Sequence, residues 1–404
     1  MGKQWTAVNF GEVVTLAQGL CFNAKTNHLM AEEGLPLLRI ADLINNTKTK
    51  FVDAERVPKK YISSPQDIIY SRTGQVGLVF KGRVGVVHNN CFRVIPQQGV
   101  EADYVYWYLR QPSVIEKARS LAGGAAQPDL GHDAFKSISF SYPAPEIQRR
   151  IAGILSAYDE LIENSQRRMK ILEGAARALY REWFVHFRFP GSRSVPCIPS
   201  TLGAIPEGWM VKTVADAFEI SGGGTPSRKE PAYWEGGKIQ WFSPSDLTSA
   251  GTMFMDDSSD HITTRGLTES SARLFPALSV MLTSRATIGA IAINTQEACT
   301  NQGFITCMPN DRVPTYFLYN WLAENVPMFQ RMASGATFKE ISRGVFKTVE
   351  FLQPPAALVM RFEAIAATMA EQCLVLQRQI ANLRRTRDLL LPRLLSGQIN
   401  VEAG

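Results

Sequence analysis

Hydrophobic positions in two stretches of the chain recur every three or four residues, which is the spacing of one face of an α-helix. The first stretch opens at Pro145-Glu146, where proline suits the first helical turn and the carboxylate favours the positive end of the helix dipole. Its predicted apolar seam, interrupted by Ser165 and Arg168, is Ile147, Ile151, Ile154, Tyr158, Leu161, Leu172, Leu179 and Trp183. The second seam is more regular and is Met369, Cys373, Leu376, Ile380, Leu383, Arg387, Leu390 and Leu394. The pattern predicts two long helices of the coiled-coil type.

Each predicted helix follows a longer stretch in which strand-like and helix-like segments alternate. Segments 67–71 and 278–283 have the composition of strands, whereas 104–109 and 316–322 have helical patterns. Proline and glycine are concentrated over residues 187–208, which predicts a linker between the first helix and the second such stretch. The predicted fold class is therefore mixed α/β, with two globular domains and two long helices.

The two α/β stretches match each other in sequence. At a shift of 204 residues, Trp5 aligns with Trp209, Gly19 with Gly223, Lys25 with Lys229 and Asp42-Leu43 with Asp246-Leu247. At a shift of 211 or 212 residues, Gly77 aligns with Gly289, Tyr104 with Tyr316, Gly124 with Gly335 and Pro143 with Pro354. The shift changes between residues 43 and 72, so that 28 residues (44–71) of the first copy correspond to 37 residues (248–284) of the second. A constant scaffold around one variable segment is what a recognition surface requires.

The repeat predicts a first domain (1–145), a first long helix (146–186), a linker (187–208), a second domain (209–353) and a second long helix with a C-terminal tail (354–404). A narrow apolar seam on so long a helix needs a partner helix, and the equivalent helix lies in the same chain. We expect the two helices to pack antiparallel as a coiled coil that separates two similar domains, with a pseudo-twofold internal repeat. The alternative is that each helix is an independent dimerisation zipper.

Composition excludes several classes of protein. The chain of 404 residues is 45% hydrophobic and 20% charged, as globular proteins are. No apolar run approaches the roughly 18 residues of a membrane span, and the chain starts without an apolar signal core, so we expect a cytoplasmic protein with no membrane partner. Six scattered cysteines form no Cys-x-x-Cys pair, and we expect all of them to be reduced core residues. The net charge of +6 permits a polyanionic partner, although neither domain is strongly basic as a whole.

Catalytic motifs are missing from the sequence. An adenine methyltransferase needs an Asp/Asn-Pro-Pro-aromatic loop, but the Pro-Pro pair here, Pro354-Pro355, follows Leu352-Gln353 and opens a helix. The run Gly222-Gly223-Gly224-Thr225-Pro226 lacks the Lys-Ser/Thr of a phosphate-binding P-loop. No metal-ligand spacing relates the five histidines, His28, His88, His132, His186 and His261. We therefore expect a protein that is not an enzyme and binds no cofactor or metal itself.

The most distinctive segments of the chain are Gly223-Gly224-Thr225-Pro226-Ser227, Trp241-Phe242-Ser243-Pro244-Ser245-Asp246-Leu247, Ser334-Gly335-Ala336-Thr337-Phe338-Lys339, Gly123-Gly124-Ala125-Ala126-Gln127-Pro128, Pro145-Glu146-Ile147-Gln148-Arg149 and Leu391-Pro392-Arg393-Leu394-Leu395. Their order and duplication resemble the specificity (S) subunits of Type I restriction-modification systems, over nearly the whole chain. The resemblance implies two target-recognition domains, each reading one half of a bipartite double-stranded DNA site, with antiparallel helices that fix the spacing between the halves. It also implies two modification (methyltransferase) subunits and restriction subunits as partners, which would carry S-adenosylmethionine, ATP and magnesium.

Contacts to DNA need Lys and Arg for phosphates, and Arg, Asn or Gln for base edges, on exposed loops. The repeat points to the loop after Gly19 or Gly223, to the end of each strand-like segment, and to the loop after Gly124 or Gly335. The predicted DNA-binding residues are Lys25, Arg72 and Gln127 in the first domain, and Thr225, Ser227, Arg228, Lys229, Arg285, Thr337, Lys339 and Arg343 in the second. The competing interpretations are a long-helix scaffold protein without DNA binding and an enzyme with an unrecognised site, such as a nuclease that acts alone.

Overall fold

The computed structural model describes residues 5–124, 126–335 and 339–401 of the chain. The chain forms two compact units, Met1–Ile162 with Ala381–Gly404, and Glu163–Ile380. Each unit contains one α/β domain together with a segment of both long helices. Within the described residues, no helix is both long enough and apolar enough to span a membrane.

The domain of the first unit has a central antiparallel sheet. Its strands are β1 Thr6–Asn9, β2 Val14–Gln18, β3 Met30–Ala31, β4 Leu35–Leu38, β5 Phe51–Val52, β6 Ile62–Ser63, β7 Ile68–Ser71, β8 Val79–Phe80, β9 Gly85–Val87, β10 Cys91–Pro96 and β11 Ser139–Tyr142. Its helices are α1 Phe10–Val13, α2 Ile40–Asn45, α3 Ala102–Leu109, α4 Pro112–Leu121, α5 His132–Lys136 and the start of α6 Pro145–Tyr180. The central sheet has the order β2-β10-β7-β8, β1 pairs with β11, and a mixed sheet has the order β3-β5-β4-β9-β6.

Strand β7 shows why a continuous apolar run forms a strand here. Its residues Ile68, Ile69, Tyr70 and Ser71 are all buried, because the strand lies inside the sheet between β10 and β8 and is covered on both faces. Aromatic rings from the helices and the neighbouring strands fill the space beside it. The ring of Tyr70, for example, lies 4.9 Å from that of Phe135 in α5.

The domain of the second unit repeats this plan, and two strands of the linker precede it. Its strands, with the linker strands first, are β12 Cys197–Ser200, β13 Gly203–Pro206, β14 Met210–Thr213, β15 Glu219–Gly222, β16 Ile239–Phe242, β17 Phe254–Met255, β18 Asp260–Ile262, β19 Val280–Thr283, β20 Ile291–Asn294, β21 Ala298–Thr300, β22 Phe304–Met308 and β23 Glu350–Gln353. Its helices are α7 Val214–Ala217, α8 Pro244–Ala250, α9 Thr264–Thr268, α10 Thr315–Met332, α11 Arg343–Lys347 and the first part of α12 Ala356–Leu395. Short 3₁₀ or π turns cover Asn27–Leu29, Lys59–Tyr61, Arg181–Val185, Ser192–Ser194 and Pro231–Tyr233.

The sheets confirm the internal repeat. The order β15-β22-β19-β20 in the second domain matches β2-β10-β7-β8 in the first, and the pair β14-β23 matches β1-β11. The longer variable segment of the second domain contributes β17, which extends the central sheet, and β18, which joins a separate sheet of order β18-β16-β21. The two copies therefore differ mainly in what the variable segment adds to a shared scaffold.

The two long helices run antiparallel in each unit, as predicted. In the first unit, Leu155 of α6 and Leu391 near the end of α12 belong to the same buried core. In the second unit, Cys373 of α12 directs its thiol to the carbonyl oxygen of Met169 in α6, 3.9 Å away. Further along α6, Asp159 pairs with Arg387 in the first unit, and the ring of Tyr180 lies 5.8 Å from that of Phe362 in the second. In each unit a later residue of α6 therefore meets an earlier residue of α12, which is the antiparallel arrangement.

The predicted seam of the first long helix is confirmed at Ile147, Ile151 and Trp183, which are buried, but it is shifted by one position at two others. Ile154 and Leu161 are 39% and 48% exposed, because the helix turns Leu155 and Ile162 inward instead. Ser165, predicted as an interruption, is buried and belongs to the seam. The buried positions of α6 are Ile147, Gln148, Ile151, Ala152, Leu155, Ile162, Ser165, Met169, Ala176 and Tyr180. In α12 the predicted seam is confirmed at Cys373, Leu376, Ile380 and Leu394, which are buried.

The one charged residue in the predicted seam of α12 is paired with an acidic residue of the first unit. Arg387 of α12 forms an ion pair with Asp159 of α6. Asp159 also accepts a hydrogen bond from Arg110, at 2.8 Å, and Arg110 lies over the ring of Trp107. The charge is therefore paired where it interrupts the apolar seam, as a partly buried charge must be.

The cysteines are all free, but only some of them lie in a core. Cys91, Cys299, Cys307 and Cys373 are buried, whereas Cys21 and Cys197 are exposed. The prediction that all six are core residues is therefore wrong for two. Cys21 lies in the loop after Gly19, and Cys197 begins the exposed strand β12 of the linker, so neither is covered by a sheet or helix.

Candidate nucleic-acid interface

In the second domain, successive glycines let the backbone after β15 approach its neighbours closely. A Cβ on Gly223 would lie 2.1 Å from the carbonyl oxygens of Thr300 and Asn301, and one on Gly224 would lie 2.4 Å from the carbonyl oxygen of Ser271. Larger residues do not fit at these positions. The loop that follows carries four of the predicted DNA-binding residues, all of them exposed: Thr225, Ser227, Arg228 and Lys229.

Arg228 is held against two tryptophan rings. Its guanidinium carbon lies 3.5 Å from the ring centroid of Trp234 and 5.2 Å from that of Trp241. Its Nη2 donates to Oδ2 of Asp260 at 2.5 Å. Trp234 in turn donates from Nε1 to the carbonyl oxygen of Ser227, at 3.1 Å. These contacts fix the direction of the guanidinium in advance and occupy one of its donors.

Arg285 and Arg343 line one cleft of the second domain. The cleft has a volume of about 410 Å³. Arg285 Nε lies 3.8 Å from Oε2 of Glu340 on one side of it. On the other side, the guanidinium of Arg343 lies against Gly222, where a Cβ would come within 2.6 Å of Nη1. The end of β19 and the start of α11, far apart in sequence, therefore place two cations around one space.

Two further predicted residues lie beside this cleft. Thr225 donates from Oγ1 to Oε1 of Gln302, a cleft residue, at 2.7 Å. Lys339 is exposed, and its carbonyl oxygen accepts from the backbone N–H of Ala286, the residue after Arg285, at 3.0 Å. The structure thus brings Thr225, Arg285, Lys339 and Arg343 together, whereas Thr337 lies outside the described residues.

In the first domain, Arg72 belongs to a closed polar cluster. It forms an ion pair with Asp129 and donates to Oε1 of Gln18 at 3.3 Å. His132 Nε2 lies 2.8 Å from the same oxygen. Burial, and next the charge of Arg72, lower the pKa of His132 and so favour its neutral ring. The Arg72 side chain is 21% exposed, against 48% for Arg285.

The other two predicted residues of the first domain, Lys25 and Gln127, lie in exposed loops. The loop of Lys25 is shaped by Asn23, whose Oδ1 accepts the backbone N–H of Lys25 at 2.9 Å. The loop of Gln127 is joined to the end of β7 by the N–H of Gly74, which donates to the carbonyl oxygen of Pro128 at 2.8 Å. Gln127 therefore lies near Arg72, while Lys25 belongs to a separate loop.

The acidic partners of Arg72 and Arg285 were not predicted from the sequence. Asp129 binds Arg72, and Glu340 approaches Arg285 in the same place of the second domain. A shift of 211 residues aligns Asp129 with Glu340, so the repeat itself contained the signal. The β-bridges Thr73–Asp129 and Arg285–Glu340 are equivalent in the two domains, so Arg285 occupies the position of Thr73, one residue after the position of Arg72.

Asp42 ties the first variable segment to the scaffold. This buried carboxylate accepts hydrogen bonds from the hydroxyls of Thr47 and Thr49 at 2.9 and 2.8 Å, and from Arg39 Nε at 2.7 Å. Burial alone would raise its pKa, but the bonds from Arg39 and the threonines outweigh burial and lower the pKa. The start of segment 44–71 is therefore fixed by a buried negative charge.

Asp246, the aligned residue of the second domain, does the same for segment 248–284. Its Oδ1 accepts the backbone N–H and the hydroxyl of Ser259, at 3.0 and 2.6 Å. Its Oδ2 accepts the N–H of Ser243 at 2.7 Å and so closes the N-terminus of α8. Burial again opposes the charge, and the bonds from Ser259 and Ser243 lower the pKa of Asp246.

The chain belongs to the family of Type I restriction-modification specificity subunits, because the family model of the Type I restriction modification DNA specificity domain matches residues 2–173 and 206–357. The two matches cover both copies of the internal repeat. The variable segments and their anchoring aspartates lie inside them.

The chain is similar to curated specificity subunits of Type I restriction enzymes. The chain is 25% identical over 342 residues to the specificity subunit of the Type I restriction enzyme MjaIX of Methanocaldococcus jannaschii, an alignment that covers 83% of this chain and 78% of the relative. It is 23% identical to the HindI specificity subunit of Haemophilus influenzae, with 98% of this chain and 100% of the relative covered. A solved S subunit from M. genitalium shares the fold, with a TM-score of 0.63 at 16% identity, covering 97% of this chain and 96% of that chain.

Proposed function

We propose that each of the two domains reads one half of a bipartite duplex DNA site, so that the chain selects the sequence on which its partners act. The observation that carries this proposal is the duplicated scaffold, in which an aligned aspartate, Asp42 or Asp246, anchors a segment that differs between the copies. Two copies of one scaffold with different variable segments suit the reading of two different half-sites. Base contacts then come from the variable segments, and phosphate contacts from the loops around them.

The partners in this proposal are two modification (methyltransferase) subunits and, in the complete system, restriction subunits. The chain itself performs no chemical step. S-adenosylmethionine, ATP and magnesium act on the partner subunits, and this chain positions them on DNA. The family assignment does not favour the alternative of a scaffold protein that binds no DNA.

The test is to express the chain with the modification subunit encoded beside it, in a host that lacks the methylation, and to sequence the methylome. The expected result is a complex that co-purifies and methylates adenines in a two-part motif with an unspecified gap. The purified chain alone should show no turnover with S-adenosylmethionine. A continuous motif, or methylation by the isolated chain, would contradict the proposal.

A further inference from the structure

The equivalent surfaces of the two domains differ at one pair of positions. By the repeat, Gln18 corresponds to Gly222, at a shift of 204 residues, and His132 to Arg343, at a shift of 211. In the first domain the two polar side chains bind each other, with 2.8 Å between His132 Nε2 and Gln18 Oε1. In the second domain Gly222 has no side chain, and the guanidinium of Arg343 fills that space. A hydrogen-bonded pair in one domain is thus replaced by a cation in the other.

The arginines beside this pair differ as well, because a shift of 212 residues aligns Arg285 with Thr73, and Arg72 with Ser284. Arg72 is paired with Asp129, donates to Gln18 and is largely covered. Arg285 has its Nε 3.8 Å from Glu340, which is longer than a hydrogen bond, and its side chain is half exposed. Arg285 therefore keeps donors for a further acceptor, whereas both terminal nitrogens of Arg72 bind within its own domain and its Nε is buried.

Among the charged and amide side chains that line the cleft between Arg285 and Arg343, hydrogen-bond donors predominate. Gln302 accepts from Thr225 with Oε1, which leaves its amide nitrogen to donate. Among the described residues that line the cleft, Glu340 is the one carboxylate against two guanidinium groups, so the lining is net positive. The volume of about 410 Å³ lies in the range of ligand sites. Such a lining favours an anion that accepts several charged hydrogen bonds.

We propose that this cleft binds a phosphodiester group of the DNA backbone through Arg285 and Arg343. The inference rests on the proposed function of the chain as a DNA reader. A stacked base pair does not enter a concave cleft, whereas phosphates project from the surface of the duplex and do. In the first domain, Arg72 and His132 both bind Gln18, and these residues make no such contact. Arg72 therefore stabilises the fold of that domain, and the two domains contact the DNA backbone differently.

The test measures binding of a duplex that carries the methylated motif, by the full chain in complex with its modification subunits, over a range of salt concentrations. Arg343→Gln and Arg285→Gln each remove one cation of the cleft. Arg312→Gln is the matched control, because Arg312 is exposed and follows β22 at the end opposite Phe304, which lines the cleft. Each cleft variant should weaken binding about five- to ten-fold near physiological salt, and should lower the slope of log affinity against log salt by about one. The control should change neither quantity.

A second variant, Gly222→Gln with Arg343→His, gives the second domain the pair found in the first. It should close the cleft and reproduce the loss without altering the preferred bases. An unchanged slope of log affinity against log salt in all cleft variants would overturn the inference. Weaker discrimination between bases at one position of the motif, with that slope unchanged, would also overturn it, because that result assigns the arginines to a base edge. Binding of inorganic phosphate to the wild type, with DNA binding insensitive to Arg343→Gln, would overturn it in favour of a small-anion site. A wild-type complex with no preference for the two-part duplex would instead refute the proposed function itself.

Discussion

Replacing Asp42 by asparagine should impair recognition of one half of the DNA site and leave the other half intact. Asparagine keeps one acceptor oxygen, which can serve either the threonines Thr47 and Thr49 or Arg39, but not both. If the threonine bonds survive, Arg39 Nε faces an amide group that also donates. Loss of one charge-assisted bond and an unpaired donor costs about 2 kcal/mol, reduced to about 1 kcal/mol where water reaches the partner. Since Arg39 is one-third exposed, both limits apply.

A local cost of about 1–2 kcal/mol corresponds to a roughly 5- to 30-fold fall in the population of the ordered segment. The expected result is a loss of this size in discrimination within the half-site that the first domain reads. The assay is methylation by the complex of duplexes that carry single base changes in one half-site or the other. Discrimination between bases is compared for each half separately, because a general loss of folded protein lowers all rates together and leaves the ratios unchanged.

The matched control is Asp246→Asn, at the aligned position of the second domain. It should move the loss to the other half-site, because Ser259 belongs to the other variable segment. Equal relaxation of both half-sites by either substitution would refute the reasoning that each aspartate anchors one reader. Unchanged base ratios in both variants would show that these carboxylates serve stability alone.

Three other outcomes follow from the same structure. The pKa of Asp42 lies below its ordinary value of 3.8. The stabilisation that the ionised carboxylate provides is therefore complete above pH 3.8 and disappears as the pH falls through the lowered pKa. In urea titrations, the difference in unfolding free energy between wild type and Asp42→Asn should be constant from about pH 5 to 8 and shrink towards about pH 3. Iodoacetamide at pH 8 should label the exposed Cys21 and Cys197 in the native chain, as mass spectrometry would show. Burial raises the pKa of Cys91 and of Cys299 to about 12, so these two thiols should react only after unfolding. Phe362→Ala should destabilise the second unit by about 3–5 kcal/mol in denaturant titrations, because the ring is fully buried against Tyr180 and Phe184. The control is Met360→Ala, which should cost less than about 0.5 kcal/mol because Met360 is exposed.

The arrangement of two α/β domains and two antiparallel helices was predictable because it depends on patterns that repeat along the chain. The phase of the α6 seam was not, since Ile154 and Leu161 adjoin the buried Leu155 and Ile162, and periodicity alone does not tell which of two neighbouring apolar positions turns inward. The positions of the loops were predicted correctly from Gly223, which follows β15, and from the ends of the strand-like segments, because tight turns need particular residues.

Whether an individual arginine in those loops is buried or exposed could not be predicted in the same way. Arg72 and Arg285 lie one position apart in the repeat and each faces an aligned acidic residue, yet Arg72 is largely covered and Arg285 is half exposed. The difference depends on Gln18 and His132, which come from β2 and α5 and meet Arg72 only in the folded domain. Local sequence gives no sign of such a contact, and only a comparison of all aligned positions of the repeat would have suggested it.

The measurement that tests the central claim most directly is an exchange of segment 248–284 for the corresponding segment of a relative with a different target, followed by methylome sequencing. The segment begins after Asp246-Leu247 and ends before Arg285, so both anchoring points of the scaffold are kept. The account predicts a new two-part motif in which one half and the gap are unchanged, and the other half is that of the relative. A motif changed in both halves, or in neither, would contradict the claim that each domain reads its own half of the site.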